Sequence, residues 1–129
     1  MCNIDYDPPS VSVTTNPTAR KPHACAECRR EIAPGETYRR NFGVWEGAAN
    51  TFKTCAHCCV GQDWLLSNCD GFMHSQLLDE VHEHAEEYPK IRLGMFRLEV
   101  GIRRKWTRFD GAGLLPVPPM PRPIDAQYL

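Results

Sequence analysis

The apolar positions of this chain change period as it advances, and each change marks an element. A Pro34-Gly35 turn leads into Tyr38 to Phe42, which reads as a strand. Gly43-Val44-Trp45-Glu46-Gly47 reads as a second turn, and Thr51-Phe52-Lys53-Thr54 as the returning strand of a hairpin. From Cys55 to about Leu66 the spacing of Val60, Trp64 and Leu65 suits a helix. A further helix is expected from Met73 to Tyr88: Leu77, Leu78, Val81, Ala85 and Tyr88 fall on one face, with Asp79, Glu80, Glu83, Glu86 and Glu87 opposite. Pro89 ends it. Residues 90–108 fit a strand through Ile91, Leu93 and Met95, or a helix through Leu93, Phe96 and Val100 with Ile102 and Trp106. Length and a basic C-terminal end favour the helix.

Neither flank has such a period. Residues 1–20, with Pro8, Pro9 and Pro17 among Ser, Thr and Asn, read as a flexible extended arm. Residues 111–129 carry repeated prolines, which forbid a helix and favour polyproline II in a C-terminal tail able to dock in an aromatic groove. A domain of about 21–110 is left between them. One so small has a thin core and gains from a metal staple.

The cysteines supply that staple. Cys25-Ala-Glu-Cys28 and Cys55-Ala-His-Cys58 are two Cys-x-x-Cys pairs with 26 residues between them. Each pair can put two thiolates on one ion, so Cys25, Cys28, Cys55 and Cys58 together predict one closed tetrahedral site for a structural Zn2+ per chain. Disulfides are the competing use of such cysteines. Met1-Cys2-Asn3-Ile4-Asp5 shows neither a basic flank nor an apolar run, so nothing suggests an oxidising compartment, and a cytoplasmic setting is expected. A thioredoxin-type redox motif would need one pair only, within a βαβ pattern that this sequence lacks. The second pair is expected on the first turn of its helix, where free N–H groups favour thiolates.

Other candidate groups near the site rank lower. Cys59 adjoins a ligand but points about 100° away on a helix, which suits a buried thiol. Cys69 suits core or turn packing, and Cys2 lies on the arm. His57 would serve as a ligand only by replacing a cysteine; His23 could donate to a ligand sulfur from outside the first set of bonds, but is expected instead as an exposed histidine. His82 and His84 are two apart and so on different helix faces, unlike a catalytic metal pair.

Knuckle, hairpin and a helix supplying the last two ligands is the order of a treble-clef zinc finger, which residues 23–66 resemble. The fold class expected is therefore a small α+β zinc-binding domain, treble-clef-like, followed by one or two further helices. The wording Cys-Ala-Glu-Cys-Arg-Arg-Glu-Ile-Ala-Pro-Gly-Glu-Thr-Tyr, then Gly-Val-Trp-Glu-Gly and Phe-Lys-Thr-Cys-Ala-His-Cys, is similar to a group of small uncharacterised phage and prophage proteins. That resemblance implies a viral origin and the same four cysteine ligands, but no activity.

Four thiolates leave the metal no open position, and no nucleophile elbow, phosphate loop or His-Glu-x-x-His is present, so an enzyme is not expected. A non-enzymatic adaptor is, with Trp45 and Phe52 on the hairpin as candidate contacts for a protein partner. The phage resemblance implies that this partner is a host protein, such as a defence or regulatory factor. The alternative is nucleic-acid binding by the Arg-rich 97–108 segment, notably Arg103, Arg104 and Lys105, with Trp106 and Phe109 able to stack and with Arg29, Arg30, Arg39 and Arg40 nearer the knuckle. Against it, the formal net charge is −1, and the acidic helix can pair with the basic segment inside the fold. No apolar stretch is long enough to span a membrane, so no membrane partner is expected.

Overall fold

The computed structural model describes residues 8–69 and 71–124; Cys2 and the outer parts of both flanks lie outside these. Strands β1 (Val11–Thr15), β2 (His23–Ala24), β3 (Glu31–Ile32), β4 (Tyr38–Trp45) and β5 (Ala48–Cys55) precede helices α1 (Ala56–Asn68), α2 (Leu77–Glu87) and α3 (Arg92–Arg103). This is a small α+β architecture built on a hairpin sheet.

β4 and β5 form the hairpin, in register from Tyr38 opposite Cys55 to Trp45 opposite Ala48. Its turn is tighter than the glycines suggested. The strand runs on through Gly43 and Val44, and only Glu46 and Gly47 turn, at φ 51° and 81°. Two consecutive positive φ values define the two-residue connection that matches strand twist. Gly43 is not a turn residue at all: a Cβ there would lie 2.3 Å from the Trp45 ring, which crosses it.

Both flanks depart from the expected arm and tail. Val11 to Thr15 pair antiparallel with β4, giving the sheet order β1-β4-β5. Ala19 is buried beyond them. At the other end the chain folds back: Leu115 N–H donates to Trp106 O, Trp64 Nε1 to Arg122 O, and Ile124 N–H to Asn68 Oδ1. The folded body therefore extends beyond 21–110 on both sides.

α1 is buried on several sides, by the sheet, the later helices and this returning segment, and holds Trp64 and Leu65 fully inside. α2 begins four residues later than expected, and a 3-10 turn at Pro89–Ile91 joins it to α3. Residues 92–103 are thus helical. Leu77, Val81 and Ala85 of α2 join Met95, Leu98 and Ile102 of α3 in one core cluster. The expected pairing of acidic α2 with basic α3 takes another form. His82 of α2 meets Glu99 of α3, Nδ1 to Oε1 at 2.8 Å, while Arg103 Nε reaches Glu99 Oε2 at 3.2 Å within α3. Bonding to Glu99, then its charge, raises the His82 imidazole above its ordinary value.

Candidate metal centre

Cys25 and Cys28 flank a tight turn closed by the β2–β3 ladder, with Arg29 at φ 70° and its N–H donating to Cys25 O at 3.0 Å. β5 ends at Cys55, which is also the N-cap of α1, and Cys58 sits on the first turn of that helix. The hairpin therefore joins the two half-sites, as its length required. All four sulfurs lie within 4.8 Å of one another and all four residues are buried. Sulfurs set tetrahedrally about 2.3 Å from one ion would stand roughly 3.8 Å apart; Cys28 Sγ and Cys55 Sγ are 3.9 Å apart.

Backbone donors favour thiolate at two of the four, Cys25 and Cys55. Backbone N–H groups of Glu27 and Cys55 point at Cys25 Sγ, each at 3.4 Å, and that of Cys58 at Cys55 Sγ at 3.5 Å. Thiols this close titrate as a set. Bonding from Cys25, then from Cys28 and Cys58, pushes Cys55 far below the ordinary thiol range, whereas bonding to Cys25 pushes Cys28 and Cys58 up. None of the four is in a disulfide. A buried, all-sulfur, N–H-bonded donor set of this kind could hold a metal ion and is consistent with zinc.

Two other candidates fall outside the set. His57, buried beside the cluster, accepts from Arg30 Nη2 at 3.2 Å on Nδ1, and its Nε2–H donates to Leu115 O at 2.6 Å. Cys59 is a buried thiol facing Thr54 O. His23 does not support a ligand sulfur. It accepts from Lys53 Nζ at 3.1 Å and lies against the Tyr38 ring.

Sequence reasoning missed the groups that tie the later helices to this cluster. Glu27, inside the first Cys-x-x-Cys, accepts from Gln62 Nε2 at 2.8 Å and from the N–H groups of Ser75 and Leu77 at 3.2 Å. Its carboxylate thereby caps α2, whose own N-cap Gln76 makes no side-chain bond. Trp106, expected to be free for base stacking, is buried, and its Nε1–H donates to Cys58 Sγ at 3.3 Å. Arg30 is likewise withdrawn from any partner: it forks onto Glu36 at 2.8 and 3.1 Å. Arg39 does the same with Asp63. Arg103, Arg104 and Lys105 are exposed, with the Arg104 guanidinium 4.4 Å from the Phe109 ring centre.

Trp45 and Phe52 stand together away from the metal ligands, edge to face at 5.8 Å. His74 stacks on Phe52 at 4.2 Å, and Phe72 meets His74 edge-on. With Asn41, Leu66 and Met73 they line a recess of about 630 Å³. Two buried polar atoms of its lining, Asn41 Oδ1 and His74 Nδ1, have no hydrogen-bond partner.

No helix among the described residues is long and apolar enough to cross a membrane. No protein-family model, curated protein or solved structure matches this chain.

Proposed function

We propose that this chain is a non-enzymatic adaptor stapled by one structural zinc per chain, with a treble-clef-type finger formed by the knuckle 25–28, the β4–β5 hairpin and the start of α1. The observation that carries it is the convergence of four buried sulfurs from two Cys-x-x-Cys pairs. Four thiolates complete the tetrahedron and leave no position for a substrate water, so what the metal does is hold surfaces. The recess around Trp45 and Phe52 is the surface best suited to a protein partner, because aromatic walls take an apolar anchor and the orphaned Asn41 and His74 atoms offer it hydrogen bonds. On the phage resemblance, the protein is of phage or prophage origin, acts in the bacterial cytoplasm and binds a host factor. The nucleic-acid alternative at 97–108 has lost Trp106 to the core and retains Arg103, Arg104, Lys105 and Phe109.

Metal analysis of reduced protein should give about one zinc per chain. Structural zinc contributes on the order of 10 kcal/mol in finger peptides, so Cys55→Ser should lose both the metal and native amide dispersion. Retained native spectra in chelator would rule the structural role out. Trp45→Ala should keep the zinc yet weaken capture of the host partner from nuclease-treated lysate by more than about 1 kcal/mol. Undiminished capture would remove the recess from the proposal.

A further inference from the structure

The opposite face of the sheet carries a second recess. Strand alternation sends Arg40 and Lys53 to the side away from Asn41, Phe52 and Trp45. There His23, Ala24, Cys25, Ala26, Arg29, Thr51 and these two cations line a recess of about 470 Å³ against the knuckle. Its size falls in the range of roughly 300–1,000 Å³ typical of ligand sites.

Three cations line it against one anionic candidate, Cys25, whose sulfur is buried among the four of the cluster. Arg40 and Lys53 stand directly opposite each other in the β4–β5 register, an arrangement of like charges that destabilises a strand pair. The knuckle then adds Arg29, whose φ of 70° is costly for a residue with a Cβ. Arg30, Arg39 and Arg103 each have a carboxylate partner. Among the described residues Arg29, Arg40 and Lys53 have no ion pair, and no carboxylate lines the recess. The half-buried carboxylate of Glu27 feels the charge of Arg29 but is committed to Gln62, Ser75 and Leu77. Lys53 Nζ donates to His23 Nδ1 at 3.1 Å on the wall of the recess, which holds the ammonium there.

We propose that this recess is an anion site that binds a phosphate group through Arg29, Arg40 and Lys53. Guanidinium forks match phosphate oxygens in pairs, and an anion there offsets the Arg40–Lys53 repulsion. The phosphate belongs either to a free nucleotide or to the backbone of a nucleic-acid strand. Neither source depends on the adaptor reading, which concerns the other face.

The test titrates the zinc-loaded full chain with inorganic phosphate, with ATP and with a short single-stranded DNA, following amide shifts and fluorescence anisotropy. Arg40→Gln with Lys53→Gln should weaken the phosphate-bearing probes at least about tenfold, with zinc content unchanged. Lys90→Gln with Arg97→Gln, on remote exposed cations, should change binding less than about twofold. ATP binding as tightly as DNA identifies a free ligand. DNA binding alone, with a salt slope that falls by about two in the Arg40/Lys53 variant, identifies the backbone. Phosphate should raise the thermal midpoint of wild type and not of that variant. If the double variant fails to fold, Arg29→Gln, on an exposed side chain, gives the same reading. The proposal is overturned if no probe binds wild type at millimolar concentration, or if the remote variant loses as much binding as the recess variant.

Discussion

Replacing Gly101 by Ala sets two known effects against each other with opposite signs. Gly101 lies inside α3, where helix propensity alone makes Ala about 1 kcal/mol better. The added Cβ, however, would fall 2.1, 2.3 and 2.6 Å from three carbons of the Trp106 ring. That ring cannot swing aside cheaply. Its Nε1–H is bonded to Cys58 Sγ, its backbone N–H to Gly101 O at 2.7 Å, and it is buried. A Trp buries about 150–250 Å², so expelling it costs roughly 4–6 kcal/mol. Overpacking with a backbone shift costs about 3 kcal/mol at the upper end of its usual range, and is therefore the cheaper response. Net of propensity, Gly101→Ala should destabilise by about 2 kcal/mol, a fall in midpoint of roughly 7 °C for a chain of this size. Gly94→Ala in the same helix, where a Cβ would stand 3.2 Å from Pro121 Cβ, should be near neutral. Urea unfolding at fixed zinc, with the rate of zinc release to a chelator, measures both. A Gly101→Ala variant as stable as wild type, or more so, would refute the account of Trp106 as a locked strut on the cluster.

The same helix end gives a second expectation. Lys105 N–H donates to Ile102 O and Trp106 N–H to Gly101 O, with Lys105 at φ 55°, the left-handed position that glycine fills in such caps. Lys105→Gly should stabilise by about 1 kcal/mol in the same urea assay, and destabilisation would contradict the strain. His82 supplies a pH dependence. Its pKa is raised in the folded protein by Glu99, so its contribution is fully present below the unfolded value of about 6.5 and is lost as pH rises through the folded value. The gap in thermal midpoint between wild type and His82→Gln should shrink as pH is raised from mildly acidic to mildly alkaline, and a gap that widens would reverse the sign.

What the sequence disclosed and what it concealed divide along physical lines. The hairpin and α1 were legible because period and cysteine spacing constrain each other: two strands must bring Cys55 back to Cys25. α2 was legible from one apolar stripe, although its start was set four residues early. Its cap is Glu27, some fifty residues away, and no local rule finds a cap so remote. β1 escaped because five exposed edge-strand residues carry no burial pattern. The docked end of the chain escaped because Leu115 and Arg122 are held through their carbonyl oxygens, which every residue possesses. Trp106 was misassigned for a different reason: a cap with Lys where glycine is usual gives no stop signal, so the helix pattern ran on through it and the indole seemed exposed.

The contacts around the sulfurs decide how the protein should respond to metal loss. Glu27, two residues after Cys25, fixes the start of α2, and Cys58 receives the indole at the end of α3. Arg30, two residues after Cys28, bonds both Glu36 and His57, and His57 holds Leu115 of the returning segment. Segments from three parts of the chain therefore reach the cluster through one or two polar bonds each, made by the ligands or their near neighbours. Bonds of this kind depend on geometry within tenths of an ångström, unlike apolar contacts, which tolerate small shifts. Relaxing the four-sulfur cluster should thus release α2, the Trp106 turn and residues 114–124 together, as one cooperative step rather than as a local fraying of the knuckle. Both recesses, on opposite faces of the β4–β5 hairpin that delivers Cys55, should be lost in that same step.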